Sequence, residues 1–349
     1  MNRNRKVGIA LLSFAHFHQN KWLETFLRDS RAEVVGFWDD NPVRAASVAK
    51  DYGVPYFNHL DELLQKSEVT AAAICSETSR HKELTFKCCQ YQKQILCEKP
   101  TALTLNDCLD MKRAVESSGV LFLQSFPQRL IRGNKVIKTI LDSGELGRIT
   151  HVRKRHGHGF GLKGLDRDMP WIVSEKDAGG GAYMDEGVHE TDLLCYYFGM
   201  PESVFARLSK QQCGEGEMSA AAIYRYENDL MVIHEAGWNW LAGGPTTEIY
   251  GEEGVLIESQ SDCASSAGKS TWPHLSLYRR ETGNWEILEG SFDFSVIHSL
   301  FPLAFMDMLL GETEPVATID DGINALMMVL GAYRSAREGR IVSFPLERD

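Results

Sequence analysis

The chain has 349 residues, with 37 Lys and Arg against 48 Asp and Glu, a formal net charge of −11. Hydrophobic residues make up 43% and charged residues 24%, and the length suggests about two domains, each able to bury a core without a metal or disulfide staple. The acidic balance argues against a nucleic-acid partner and against an anionic membrane surface.

No apolar run reaches the ~20 residues that cross a bilayer. The start MNRNRKVGIALLSFA is basic and then apolar, but His16-Phe17-His18-Gln19-Asn20-Lys21 follows it without a small-x-small cleavage site, so it reads as a buried strand. The eight cysteines include adjacent Cys88 and Cys89 and no C-x-x-C pair, which suits reduced thiols packed as small hydrophobes in a cytoplasmic protein.

In chain order, Val7–Leu12 is an apolar β-rich run. Trp22, Leu23, Phe26 and Leu27 then recur at helical spacing, and Glu33–Trp38 is a second strand. Pro42 opens a helix through Tyr52, and Gly53 ends it. Val69–Cys75 (strand), Ser79–Gln92 (helix), Ile95–Cys97 (strand), Leu105–Ser117 (helix) and Val120–Gln124 (strand) continue the alternation. This pattern predicts a doubly wound parallel sheet in an α/β domain over residues 1–128.

Beyond residue 128 the pattern changes. A helix over Lys135–Ser143 stops at Gly144, and period-2 runs follow at Ile149–Lys154, Ser203–Ser209, Ala220–Tyr226, Leu230–Trp238, Thr246–Tyr250 and Val255–Ser259. They predict a large, mostly antiparallel open sheet in an α+β domain over 129–349. Helices over Tyr183–Phe198, Ser299–Leu310 and Asp320–Arg337 interrupt or close it, and the C-terminal helix is a candidate to pack back on the first domain.

In a doubly wound sheet, ligands bind at the carboxyl ends of the strands. The G-x-G-x-x-G fingerprint is absent there, because Gly8 lies too early and the turn reads Leu11-Leu12-Ser13. Asp39 ends the second strand, 26 residues beyond Ser13, where a carboxylate can accept from ribose hydroxyls and repel a 2′-phosphate. Asp40 follows it, so NAD is favoured over NADP. The alternative is a turn that merely opens Asn41-Pro42.

Two constellations carry chemistry. Glu98-Lys99-Pro100 ends the Ile95–Cys97 strand and puts an ammonium at the sheet edge, where it can stabilise a developing alkoxide. The run Gly179-Gly180-Gly181 to Asp192 places Asp185 and His189 at i and i+4 with Asp192 a turn further on. A histidine with a supporting carboxylate suits removal of the hydroxyl proton of a secondary alcohol. The alternatives are a buried structural histidine or a metal pair. His16-x-His18 and His156-x-His158 have metal-like spacing, but no third ligand is evident, and no metal is expected.

These residues, with Asn41-Pro42, Gly144-Glu145-Leu146-Gly147, Ile249-Tyr250-Gly251 and the tail Ser335 to Arg340, resemble the Gfo/Idh/MocA family of NAD(P)-dependent oxidoreductases over nearly the whole chain. The resemblance implies an N-terminal Rossmann domain that binds NAD and a C-terminal domain for substrate binding and oligomerisation, whose sheet pairs subunits into a homodimer or homotetramer. It implies that Lys99 contacts the reacting hydroxyl, that His189 is the acid/base and that Asp185 supports it. Asp39 would bind the adenosine ribose, with His81 near the nicotinamide. Leu11-Leu12-Ser13-Phe14 stands where the family has its glycine turn, and the N–H groups of Ser13, Phe14, Ala15 and His16 are expected to hold phosphate. Ser76 and Glu98 complete the expected cofactor set.

The expected activity is NAD-dependent oxidation of a secondary hydroxyl of a sugar, sugar derivative or polyol. The alternatives are a redox-neutral glycosidase that oxidises its sugar transiently and a non-enzymatic NAD- or sugar-binding regulator. Arg129, Arg153, Arg155, His156, His158 and Trp171 are candidate substrate contacts. Arg153 and Arg155 share a strand face and would favour an anionic sugar, unless that face is a solvated edge. Trp171, Trp238 and Trp240 are either a sugar-stacking wall or aromatic core.

Overall fold

A computed structural model describes residues 6–241, 243–259, 273–288, 293 and 296–347. The chain forms two compact units: Met1–Pro127 with Ser295–Ile323, and Gln128–Phe294 with Asn324–Asp349. The sequence reading assigned everything after residue 128 to one domain. The helix Ile297–Leu309 instead joins the first unit, where it packs on the helix His18–Arg28. Phe301, Phe305 and Met308 are buried, and Arg31 reaches Asp307 at 2.7 Å.

The first unit holds β1 (Val7–Leu12), β2 (Ala32–Trp38), β3 (Tyr56–Phe57), β4 (Ala71–Ile74), β5 (Gln94–Cys97) and β6 (Phe122–Gln124). All pair in parallel in the order β3-β2-β1-β4-β5-β6, the Rossmann arrangement. Strand order reverses between β1 and β4. Gly8 serves strand packing, since a Cβ there would lie 1.8 Å from the Glu68 carbonyl oxygen. The helix Pro42–Tyr52 starts where the Asn41 side chain accepts from the Val43 and Arg44 N–H groups, and it ends at Gly53 with φ +66°.

The second unit holds β7 (Ile149–Gly157), β8 (Ser203–Leu208), β9 (Gln212–Cys213), β10 (Gly216–Glu217), β11 (Ser219–Arg225), β12 (Met231–Gly237), β13 (Thr247–Gly251), β14 (Gly254–Glu258), β15 (Leu275–Arg279), β16 (Asn284–Leu288) and β17 (Val342–Ser343). Nine of them form one sheet in the order β16-β15-β14-β13-β7-β12-β11-β8-β17. β7 and β12 are parallel and the other pairs antiparallel. One face is covered by the helix Gly187–Phe198, which packs on β7 and β12. Strand alternation puts Val152, Lys154 and His156 on that covered face and His151, Arg153 and Arg155 on the other.

The helix expected over Tyr183–Phe198 is two helices, Ala182–Asp185 and Gly187–Phe198, broken at Glu186. Gly187 permits the junction, because a Cβ there would press the Tyr183 ring at 3.1 Å. Seven described cysteines are free thiols, and Cys263 lies outside the described residues. Among the described residues no helix is long and apolar enough to cross a membrane.

Candidate functional site

The residues expected at the cofactor fall at the carboxyl edge of the first unit's sheet, after β1, β2, β4 and β5. After β1, Ser13 adopts a left-handed φ of 69°, a conformation that favours glycine. The turn closes on itself. The Ser13 N–H donates to the Trp38 carbonyl at 2.7 Å, Phe14 N–H to Asp39 Oδ2 at 2.7 Å, Ala15 N–H to Ser13 Oγ at 3.2 Å and His16 N–H to the Cys75 carbonyl at 3.2 Å. These four donors, expected to hold phosphate, are therefore already engaged. The Phe14 side chain is core, edge-on to Phe37 at 5.3 Å.

Asp39 is buried and accepts three bonds: from Phe14 N–H, from Asn41 N–H at 2.8 Å and from Arg44 Nε at 2.8 Å. Burial opposes the Arg44 charge, but the Asp39 carboxylate outweighs it, and the guanidinium is held above its usual range. Arg44 also meets Asp40 at 2.9 Å, and Arg80 meets Asp40 at 2.6 Å while lying over the Trp38 ring. Glu77, raised by burial, stands 3.7 Å from Arg44. Ser76 is buried beside it, and its hydroxyl donates to the Glu77 carbonyl at 3.0 Å.

Glu98-Lys99-Pro100 is a fixed loop. Gln124 Nε2 donates to the Cys97 and Glu98 carbonyls, each at 3.1 Å, and its Oε1 accepts from Thr101. His81 Nδ1 lies 2.9 Å from the Pro100 carbonyl, so His81 braces the loop from beneath, and burial lowers its pKa. Glu98 accepts the Lys99 N–H at 2.9 Å and meets His18 Nδ1 at 3.0 Å. Lys99 itself is buried. His16 and His18 stand ring to ring at 4.1 Å, with His298 a further 3.9 Å from His18. Burial, reinforced by His18, keeps His16 well below the usual imidazole range. The third potential ligand that sequence spacing lacked is thus Glu98. His16 Nδ1 also accepts the His18 N–H at 3.2 Å.

In the second unit, the glycine run is a close-packed corner. A Cβ on Gly181 would lie 2.3 Å from the Glu217 nitrogen, and one on Gly180 would lie 2.2 Å from the Tyr333 hydroxyl. Glu217 accepts the Gly181 and Tyr183 N–H groups at 2.9 and 2.8 Å, and the Tyr333 hydroxyl at 2.9 Å. Asp185 closes the short helix and accepts from Trp238 Nε1 at 3.1 Å. His189 is buried on the next helix with its ring 5.8 Å from that of His156.

The substrate candidates disperse. Arg129 forms a buried bidentate pair with Asp192, with three bonds of 2.7 to 3.1 Å, so both are structural partners. Arg153 points to the sheet face away from His189 and pairs with Glu235 at 2.6 Å and Glu248 at 3.7 Å. Arg155, on the same face, donates to the Pro245 carbonyl at 2.5 Å. Trp171 packs on the apolar cluster around Trp238, Met218 and Val173. His156 and His158, by contrast, share the helix side, and both meet the Glu186 carboxylate, at 2.7 and 2.5 Å. Burial raises the Glu186 carboxyl, but its contacts with His158 and His156 outweigh this and hold it well below its usual range. His158, Asp185 and Glu186 also come within metal-binding reach of one another. The Phe160 N–H donates to His158 Nδ1 at 3.2 Å.

The family profile described as an oxidoreductase family with an NAD-binding Rossmann fold matches residues 7–126, and that of the GFO/IDH/MocA C-terminal domain matches residues 135–257. The chain belongs to the Gfo/Idh/MocA oxidoreductase family. It is 23% identical to a 1,5-anhydro-D-fructose reductase of Ensifer adhaerens over 97% of this chain and 98% of that protein. It is 27% identical to a myo-inositol 2-dehydrogenase of Thermotoga maritima over 84% of each. The WlbA dehydrogenase of Bordetella pertussis, solved with NADH and UDP-GlcNAcA, superposes with a TM-score of 0.85 at 22% identity, covering 99% of this chain and 100% of that one.

Set on the Gfo/Idh/MocA framework, the chain's own features are the self-bonded turn at Ser13–His16, the Arg44 and Arg80 pair, and the Glu186 carboxylate between two histidines. Sequence reading missed Arg44, Glu186, Glu190 and Lys154. Only the i, i+4 spacing of Glu186 and Glu190, set against the 154/156/158 alternation, hints at the last three.

Proposed function

We propose that the protein is an NAD-dependent oxidoreductase acting on a secondary hydroxyl of an uncharged sugar, sugar derivative or polyol. The observation that carries this reading is the braced Glu98-Lys99-Pro100 loop, with Lys99 buried at the carboxyl edge of β5, in a chain of this family. NAD, when bound, supplies the hydride acceptor. Lys99 hydrogen-bonds the reacting oxygen and stabilises its developing charge, while His189, supported by Asp185, takes the proton.

NAD is preferred over NADP. Three carboxylates, Asp39, Asp40 and Glu77, stand against two guanidinium groups, Arg44 and Arg80, and the excess negative charge repels a 2′-phosphate. An uncharged substrate is favoured because Arg129, Arg153 and Lys154 each already face a carboxylate. The substrate unit associates as a homodimer or homotetramer through the open face of its sheet.

The test is NADH formation across neutral sugars, polyols and uronates, alongside thermal shifts with NAD and NADP. Neutral substrates are expected to turn over, NAD to stabilise more than NADP, and Lys99→Ala to abolish turnover. Preference for uronates, or equal stabilisation by both cofactors, removes the corresponding assignment. Glycoside cleavage without net NADH moves the reading to a redox-neutral glycosidase.

A further inference from the structure

β7 and the helix Gly187–Phe198 meet as a ladder of opposite charges. Alternate strand residues recur roughly every 6.8 Å, and helix residues four apart roughly every 6 Å, so the two spacings stay in step. Lys154 and His156 of β7, with His158 just past its end, therefore meet Glu190 on the helix and Glu186 at the junction before it. Along the ladder, His158 Nε2 to Glu186 Oε1 is 2.5 Å and Glu186 Oε2 to His156 Nε2 is 2.7 Å. His156 Nδ1 to Glu190 Oε1 is 3.4 Å, and Glu190 Oε2 to Lys154 Nζ is 3.0 Å. Lys154 ends the ladder against Thr247 Oγ1 at 2.7 Å and Glu258 Oε2 at 3.7 Å. All of these side chains are buried.

His156 is the one imidazole in the ladder with a carboxylate at each nitrogen. A ring that donates at both positions carries a positive charge. Its centroid lies 5.8 Å from that of His189, the proposed acid/base. The other charged or titratable groups around this pair are Glu190 on the helix of His189, Glu186 at the junction before it, Asp185 on the preceding helix, Lys154 on β7, His158 just past its end, and His234 on β12.

We propose that His156 is a positioning residue that acts through charge: fixed as an imidazolium by Glu186 and Glu190, it keeps His189 neutral and therefore ready to accept the hydroxyl proton. A like charge at this distance opposes a second charge in a buried site, so His189 stays in its base form at neutral pH. The proton that leaves the alcohol then moves to an empty imidazole nitrogen while hydride leaves carbon for the nicotinamide. Two electrons and one proton leave on separate carriers. This rests on the assignment of His189 as acid/base under the proposed function.

The experiment is a pH titration of the histidine side chains by 15N NMR in the full-length protein, which needs no substrate. His156 should show the doubly protonated signature through pH 8. In His156→Gln the His189 midpoint should rise by roughly one to two pH units, whereas His156→Lys, which retains a cation, should leave it near the wild-type value. The acid limb of kcat/KM for the best neutral sugar should follow the same shift. A neutral His156 at pH 7 overturns the proposal without any variant. So does a His189 midpoint unchanged in His156→Gln, or moved equally in both variants. If the NMR shifts occur but the kinetic limb does not follow, the charge coupling stands and His189 is not the acid/base.

Discussion

Asp39 and Arg44 form an ion pair at 2.8 Å in which the carboxylate is fully buried and the guanidinium a quarter exposed. The pair fixes the end of β2 to the start of the following helix, and the second Asp39 oxygen caps the Asn41 N–H. The carboxylate expected to meet the adenosine ribose is thus first a structural strut.

Arg44→Ala should therefore cost stability before it affects cofactor choice. It leaves the buried Asp39 with only backbone donors, a loss of about 2 kcal/mol, below the range for a fully buried pair because Arg44 is partly solvated. A urea midpoint compared with that of Arg44→Ala/Asp39→Asn checks this. The double variant should recover part of the loss, because it removes the orphaned charge.

The glycine run makes a second prediction. Gly181→Ala forces a Cβ to within 2.4 Å of both the Glu217 nitrogen and oxygen, and β10 backbone cannot yield without breaking the bonds Glu217 makes to Gly181 and Tyr183. A destabilisation of about 2–3 kcal/mol is expected, at the upper end for overpacking. Gly53→Ala is the comparison. Its Cβ meets nothing, and only the φ of +66° opposes it, so about 1 kcal/mol is expected. Equal losses in chemical denaturation would show that the corner at Gly181 is not close-packed.

These positions show what the sequence made legible. The strand–helix alternation located the Rossmann sheet to within a few residues, because apolar periodicity and caps such as Asn41 and Gly53 are local signals. Glu98-Lys99-Pro100 and the Gly179 to Asp192 run stood out for the same reason. Pairings between distant segments did not. Arg129 meets Asp192 across 63 residues, and Glu186 acquires its partners only once β7 is in register with the helix Gly187–Phe198. The alternation along β7 was legible, but not which of its faces the helix Gly187–Phe198 covers, so the candidates Arg153 and Arg155 fall on one face and His156 on the other. The two-residue strands β3, β9, β10 and β17 are too short to carry a period. The return of Ile297–Leu309 to the first unit depends on long-range packing alone.

The sheet face opposite the helix Gly187–Phe198 supports a third prediction. Register places Ile223, Ile233, Arg153, Glu248, Ile257 and Ile287 in one row across β11, β12, β7, β13, β14 and β16, with Ser276 of β15 between the last two. Ile223, Met231, Trp285 and Ile287 on this face are 44%, 42%, 53% and 72% exposed. An apolar surface of this extent calls for a partner, and a second copy of the same sheet is self-complementary. Light scattering should find a dimer or tetramer, and Ile223→Glu with Ile287→Glu should shift it toward monomer while leaving the far-UV spectrum unchanged. A wild-type monomer at micromolar concentration counts against the sheet as an interface.

Stability should fall as pH drops below about 6.5. Burial, with the charges of Lys154 and His156, pushes His234 down to about 3, and burial also lowers His81 and His16. The unfolded chain binds a proton at each of these histidines near pH 6.5, whereas the folded chain does not. Below that pH the unfolded state holds more protons at these three histidines, so they cost stability as pH falls, and their contribution is complete above about 6.5. Each histidine contributes a slope of about 1.4 kcal/mol per pH unit within its window. Glu186, held low by its histidine partners, adds a loss of the same sign only below about pH 4.5. Between 6.5 and 4.5 Glu77 and Glu217, which burial raises, gain protons in the fold and oppose the histidine slope in part, so the comparison with a histidine variant isolates its contribution. Urea midpoints at pH 7.5, 6.0 and 5.0 should decline steadily in the wild type. In His234→Gln, whose side chain can still bond the Tyr183 hydroxyl, the decline should be shallower by about one proton. An unchanged slope would mean that His234 is protonated inside the fold, with its charge stabilised by the neighbouring tyrosines.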